Sequence, residues 1–174
     1  MLPIDRASLG NYSPSAHNGA NVIVATLVLA PLVIDAVDSR LHGYLEDTVV
    51  FLQTLVATQG VTQLTKSAVD RPAPLLYAPN VAQADYESAD AHRSFISGHT
   101  STSFTAATAY SVTFWKRHPT SPLRFVVLGT SELAAFAVGL LKIKAGYHYA
   151  TDVAGGALVG SALGLLLPLM HTTW

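Results

Sequence analysis

Charged residues punctuate this chain at intervals and leave five long stretches between them that set the expected architecture. Residues 20–34 are uncharged and strongly apolar, and Asp35 closes them. Residues 48–65, TVVFLQTLVATQGVTQLT, are uncharged but carry several Thr and Gln. Residues 99–115 hold no formal charge except one that His99 would carry when protonated. Residues 125–141 are interrupted only by Glu132, and residues 153–170, VAGGALVGSALGLLLPLM, are the cleanest of the five. A bilayer crossing takes about 20 mostly apolar residues, within a range near 17–25. Four stretches reach that range and the first does so with its flanks. The pattern predicts an all-α bundle of five main helices, transmembrane, plus an N-terminal segment, in one domain over 1–174. The small-residue run GGALVGSALG suits close helix packing in a membrane. A soluble bundle of buried helices is the competing reading of the same stretches.

Composition favours lipid. Only 12% of the residues are Asp, Glu, Lys or Arg, against roughly 25% in a typical soluble domain. The formal net charge is −1, so nothing points to nucleic acid as a partner. The absence of cysteine removes disulfides, thiolate catalysis and Cys-based zinc sites together. The start, MLPIDRASLGNYSPSAHNG, lacks the basic n-region and apolar h-region of a secretory signal. Insertion would therefore fall to the hydrophobic segments themselves.

With helices crossing alternately, the connections near 39–47 and 116–124 share one side, and those near 66–97 and 142–152 share the other. The first side carries Arg40, Lys116, Arg117 and Arg124, which positive-inside reasoning makes cytoplasmic. The expected place is an integral one in a bacterial inner membrane, with the active site facing the exterior or periplasm. Lys66, Arg71, Arg93, Lys142 and Lys144 lie on the exterior side and spoil the bias. An anionic ligand would account for them. The Pro-, Ala- and Asp-rich 66–97 connection reads as a loop with a short helix in it, of a length that usually carries function.

Three clusters on that side bear chemistry. Ser97-Gly98-His99 opens the third helix, where free N–H groups and the positive end of the dipole suit a phosphate or sulfate. An ordinary serine N-cap beside a surface histidine fits the same residues. His148 and Asp152 stand four apart before the last helix. A carboxylate on one ring nitrogen would leave the other free as nucleophile or base, and an Asp cap with a packed histidine is the plain alternative. Lys66 and Arg71 leave the second helix and could hold phosphate oxygens, or Arg71 could pair with Asp70 or Asp85. Together they supply cation, anion cradle with an acid/base histidine, and an oriented histidine. Displacement at phosphorus needs that set.

In this order and spacing, over residues 60–165, the chain resembles the phosphatidic acid phosphatase type 2 superfamily, which includes vanadium haloperoxidases. Its motifs are K-x6-R-P, P-S-G-H and S-R-x5-H-x3-D. Here Ser94, Ser97, Gly98 and His99 match the middle motif, with Ile96 in place of proline. His148 and Asp152 match the last, where Leu141-Lys142 replaces Ser-Arg. Lys66 and Pro74 match the first, but Ala73 stands where the arginine belongs, with Arg71 two positions earlier as the substitute. The resemblance implies that His148 attacks phosphorus to give a phosphohistidine, that Asp152 orients it, and that His99 protonates the leaving oxygen and then activates water. It implies that Lys66, Arg71, Ser97, Gly98 and Lys142 hold the phosphoryl oxygens. It also implies no metal and no cofactor, and the other histidines (His17, His42, His92, His118, His171) are scattered along the chain.

The expected function is a membrane phosphatase acting on a lipid phosphate or isoprenoid pyrophosphate among membrane lipids. Lysine is a single hydrated charge where arginine is a two-point fork. Loss of both motif arginines therefore supports an alternative, a weakened or inactive relative that binds anionic lipid or phosphate. A vanadate-dependent haloperoxidase is the lesser alternative, since it would use the same cradle.

Overall fold

The computed structural model describes residues 1–38 and 44–171. Five long helices form the bundle: α2 (Pro14–Asp38), α3 (Tyr44–Val69), α6 (Gly98–Arg117), α7 (Leu123–Lys144) and α8 (Ala150–Met170). Three short helices accompany them: α1 (Pro3–Arg6), α4 (Gln83–Tyr86) and α5 (Ala89–His92). Each long helix contains one of the five charge-poor stretches. Among the described residues α2, α7 and α8 are long and apolar enough to cross a membrane. Large apolar side chains such as Leu29, Val56, Leu133, Phe136 and Leu158 stay exposed on their flanks, as a lipid-facing surface requires.

The helices α3 and α6 are long enough but more polar, and the packing shows why. Thr54, Thr58 and Thr62 recur every fourth residue on α3, all fully buried, and face α6. Thr62 meets Ser101 at 2.9 Å and Thr105 donates to Thr58 at 2.9 Å. Thr58 and Ser101 also donate to the preceding turns of their own helices, so these four hydroxyls are satisfied. The hydroxyls of this seam, a large part of the polarity of the two helices, are turned inward.

Helix α6 is the hub, packed against α2, α3, α7 and α8. Its closest neighbour is α8, because Gly156, Gly160 and Gly164 put no side chain between the backbones. A Cβ on Gly156 would fall 2.7 Å from the Ser97 carbonyl oxygen, and one on Gly164 would fall 3.0 Å from that of Thr105. Helix α7 carries the one charge within its stretch, Glu132, half-buried and accepting from Thr108 at 2.8 Å.

The alternating path gathers the N-termini of α2, α6 and α8 and the C-termini of α3 and α7 at one end. At the other end Arg117 pairs with Asp47, and Arg124 lies 4.6 Å over the Trp115 ring. Arg40 lies outside the described residues. The 66–97 connection is more ordered than a loop with one short helix. It holds a 3₁₀ turn at Pro74–Tyr77 besides α4 and α5. Backbone bonds fasten it down: Leu75 to the Gly146 carbonyl at 2.7 Å and Ser94 to that of Arg71 at 2.8 Å. Gly146 meets the Asn11 backbone at φ +84°, where any Cβ would collide.

Candidate active site

Ser97 caps α6, its Oγ accepting from the Thr100 amide at 3.3 Å and the Thr100 hydroxyl at 2.8 Å. The hydroxyl is fully buried, so the structure gives it the capping geometry. Gly98 follows. A Cβ there would meet Thr62 at 3.7 Å and Lys66 Cε at 3.8 Å, ordinary contacts. Packing therefore does not demand glycine, and the bare backbone leaves room for a ligand to approach the helix N-terminus. His99 stands next to it, half-buried, on the wall of a pocket of about 190 Å³. Lys66, Asp90, Gln59, Gln63 and Thr102 complete that wall with Val24 and Gly98.

His148 is buried in the short turn between α7 and α8. Because α8 starts only at Ala150, the four-residue spacing is not a helical face. Nδ1 lies 2.8 Å from the Ser94 carbonyl oxygen and 3.9 Å from Asp152 Oδ2. The hydrogen bond expected from Asp152 is thus made by Ser94, since the carboxylate is already engaged. Asp152 Oδ2 accepts from the Tyr149 amide at 2.8 Å, and Oδ1 accepts from Arg71 at 2.5 Å. A carbonyl acceptor requires a proton on Nδ1, which leaves the lone pair on Nε2. Burial pushes the His148 imidazole below its ordinary range, against the nearby Asp152 carboxylate. The Ser94 hydroxyl is buried without a protein partner.

The two lysines are both buried at this end. Lys66 Nζ donates to Asp90 Oδ1 at 2.7 Å. Lys142 Nζ lies 3.2 Å from His17 Nδ1 and 3.2 Å from Asn21 Oδ1. His17 also packs on Tyr147, with centroids 4.5 Å apart, and faces His99 at 6.1 Å. Tyr147 and Tyr12 both donate to Asp85, at 2.8 and 2.6 Å. Burial and then that carboxylate hold the Tyr147 phenol above its usual range, so it remains a donor.

The arginines sit elsewhere. Arg71 pairs with Asp5 at 2.8 Å and with Asp152, and not with Asp70 or Asp85. Arg93 lies 3.4 Å from Asp70 on the surface. Neither lines the pocket. Ala73 is fully buried in an apolar cluster with Leu75, Ala91, Ala145 and Tyr147. The structure brings Lys66, Gly98 and His99 together on the pocket wall, packs His148 and Asp152 beside them, and sets Lys142 behind His17.

His17, Asn21 and Asp90 escaped the sequence reading, since 125 residues separate His17 from Lys142. A signal existed: His17 and Asn21 stand one helical turn apart at the head of an otherwise apolar helix, where polar groups mark function. Among the described residues no group of three His, Cys, Asp or Glu converges as a metal site would need.

No curated protein matches the sequence. A transmembrane PAP2-type phosphatidylglycerolphosphate phosphatase from Bacillus subtilis, known from its crystal structure, matches in fold with a TM-score of 0.70. The two are 23% identical, and the match covers 97% of this chain and 80% of that one. The family model described as the PAP2 superfamily matches residues 47–174, wider than the span of the three motifs. The chain belongs to the PAP2 superfamily.

Proposed function

We propose that this chain is a single-domain integral membrane phosphatase that hydrolyses a lipid phosphate or isoprenoid pyrophosphate on the face opposite Lys116, Arg117 and Arg124. The observation that carries the reading is His148. Its Nδ1 is held by the Ser94 carbonyl, so its free Nε2 is the nucleophile, beside a helix N-terminus bearing His99. In the first step Nε2 attacks phosphorus as the bond from phosphorus to the leaving oxygen breaks. His99 donates a proton to that oxygen, and the lipid alcohol or lipid phosphate departs. In the second step His99 takes a proton from water, which attacks the phosphohistidine and releases inorganic phosphate. Lys66 and the Gly98 backbone neutralise the phosphoryl oxygens, and Lys142 adds charge from behind His17. The test is phosphate release by detergent-purified protein from phosphatidic acid, phosphatidylglycerolphosphate and undecaprenyl pyrophosphate, alongside His148→Ala. Release at wild-type rate by the variant overturns the mechanism.

One observation favours a second reading. With Ala73 buried and Arg71 and Arg93 engaged elsewhere, no arginine among the described residues lines the pocket. Loss of one preorganised donor costs about 10²–10³ in rate, so a relative that binds phosphate or anionic lipid with little turnover fits the same geometry. Vanadate binding without phosphate release would select it.

A further inference from the structure

Arg71 does not contact the phosphate pocket, yet its placement is tightly specified. Nη1 donates to Asp152 Oδ1 at 2.5 Å and to Thr151 Oγ1 at 2.8 Å, and Nη2 donates to Asp5 Oδ2 at 2.8 Å. The guanidinium stacks on Tyr149, with Cζ 3.9 Å from the ring centroid. Asp5 is itself buried and accepts from the Thr151 amide at 3.1 Å. One cation therefore lies between two buried carboxylates, one of them next to His148.

We infer that Asp5 and Arg71 are positioning residues that act on His148 through Asp152, an assignment that rests on reading His148 as the nucleophile. Arg71 fixes the Asp152 rotamer, leaving Oδ2 turned towards Tyr149 N and His148 Nδ1. A guanidinium alone beside Asp152 would cancel most of that carboxylate's field at His148. Asp5 takes up the arginine's charge, so the trio carries one net negative charge and Asp152 keeps its pull on the imidazole. The arrangement also explains the displaced arginine: it serves the histidine from behind. The N-terminal helix α1 becomes part of the site through Asp5.

The charged groups facing His148 from elsewhere are Lys66 of α3, Asp90 of α5, and His99 of α6. His17 of α2 senses it as well. None of them changes when Asp5 or Arg71 is replaced, so the sign of each variant is fixed. Asp5→Asn removes a negative charge and lowers the His148 pKa. Arg71→Gln removes a positive charge and raises it. A purely structural role would move both variants the same way, towards lower stability.

The experiment uses the full chain in detergent with Asp5→Asn, Arg71→Gln, Arg71→Lys and His148→Ala. The readouts are the pH profile of kcat/KM, vanadate affinity, and the His148 titration by NMR on labelled histidine. We expect the acid limb of the profile to move to lower pH in Asp5→Asn and to higher pH in Arg71→Gln. We expect kcat to fall about 10-fold in Arg71→Gln, the scale of one charged hydrogen bond, with recovery in Arg71→Lys. Vanadate affinity should stay within about 2-fold, since neither side chain lines the pocket. Unmoved acid limbs and His148 titrations in both variants overturn the inference. So does a vanadate affinity at least 10-fold weaker in Arg71→Gln, which would place Arg71 on the anion. Wild-type activity in His148→Ala sinks the nucleophile reading instead, and the NMR titration then judges the coupling by itself.

Discussion

Lys142 Nζ sits 3.2 Å from Nδ1 of His17, joining the C-terminal end of α7 to the first turns of α2. An ammonium has only donors, so His17 Nδ1 accepts and Nε2 carries the proton. That N–H belongs to a ring 6.1 Å from His99, and Asn21 accepts from the same lysine at 3.2 Å. His17→Ala should therefore weaken vanadate binding several-fold and raise KM, and His17→Asn, which keeps a donor, should recover part of the loss. Isothermal titration with vanadate on both variants checks this. Unchanged affinity in His17→Ala removes His17 from the anion site.

Asp90 holds Lys66 at 2.7 Å, in the position where a phosphoryl oxygen would be bound. A carboxylate there competes with an anion for the lysine. Asp90→Asn should tighten vanadate or phosphate binding by several-fold, read by the same titration. The pH dependence has a definite sign. Burial pushes the Asp90 carboxyl up, but the Lys66 hydrogen bond and charge outweigh it and leave the group below its ordinary value. A depressed carboxylate keeps its interaction above its unfolded value of about 3.9 and loses it only as pH falls through the lower folded value. Between pH 5 and 8 the gain in Asp90→Asn should therefore stay constant.

What the sequence disclosed and what it withheld divide along physical lines. The five charge-poor stretches fall within α2, α3, α6, α7 and α8 because apolar length decides which segments become long helices. The Gly156, Gly160 and Gly164 spacing announced close packing of the last helix, and the structure supplies α6 as the partner. Pairings between distant segments left no such trace. Asp5 reaches Thr151 across 146 positions and Arg71 reaches Asp152 across 81. Proximity in sequence suggested Asp70 for Arg71, but a surface aspartate competes poorly with two buried ones that need a cation. The His148–Asp152 spacing was legible, while its geometry depended on where α8 begins.

Restoring the motif arginine alone should fail. Ala73 is fully buried against Leu75, Ala91 and Ala145, and its amide donates to the Ala91 carbonyl at 2.8 Å. Ala73→Arg adds a long charged side chain to that cluster, and overpacking costs about 1–3 kcal/mol before any cost of burying charge. The variant should lose several degrees in Tm without gaining turnover, measured by scanning fluorimetry and phosphate release. Lys142→Arg supplies a fork with little change in length, and should keep the fold and raise turnover if the lost arginines limit chemistry. A faster, equally stable Ala73→Arg enzyme would show that this cluster opens towards the pocket.

Gly156 ties packing to the site directly. The Ser97 amide donates to the Asp152 carbonyl at 3.0 Å, so the caps of α6 and α8 are joined one turn above the glycine. A Cβ at position 156 would lie 2.7 Å from the Ser97 carbonyl oxygen and 3.2 Å from the Ser101 amide nitrogen. Backbone cannot rotate out of the way, so Gly156→Ala must push α8 from α6 by a few tenths of an ångström or more. That shift moves Asp152 and His148 relative to Ser97, Gly98 and His99. The variant should lose about 1–3 kcal/mol of stability, and kcat should fall by more than that loss explains at temperatures where it stays folded. Gly129, on α7 with nothing within 4 Å of its Cβ position, is the control. Gly129→Ala should leave kcat unchanged and stabilise the helix slightly, by about 0.5–1 kcal/mol. Equal kcat in the two variants would separate the glycine seam from catalysis.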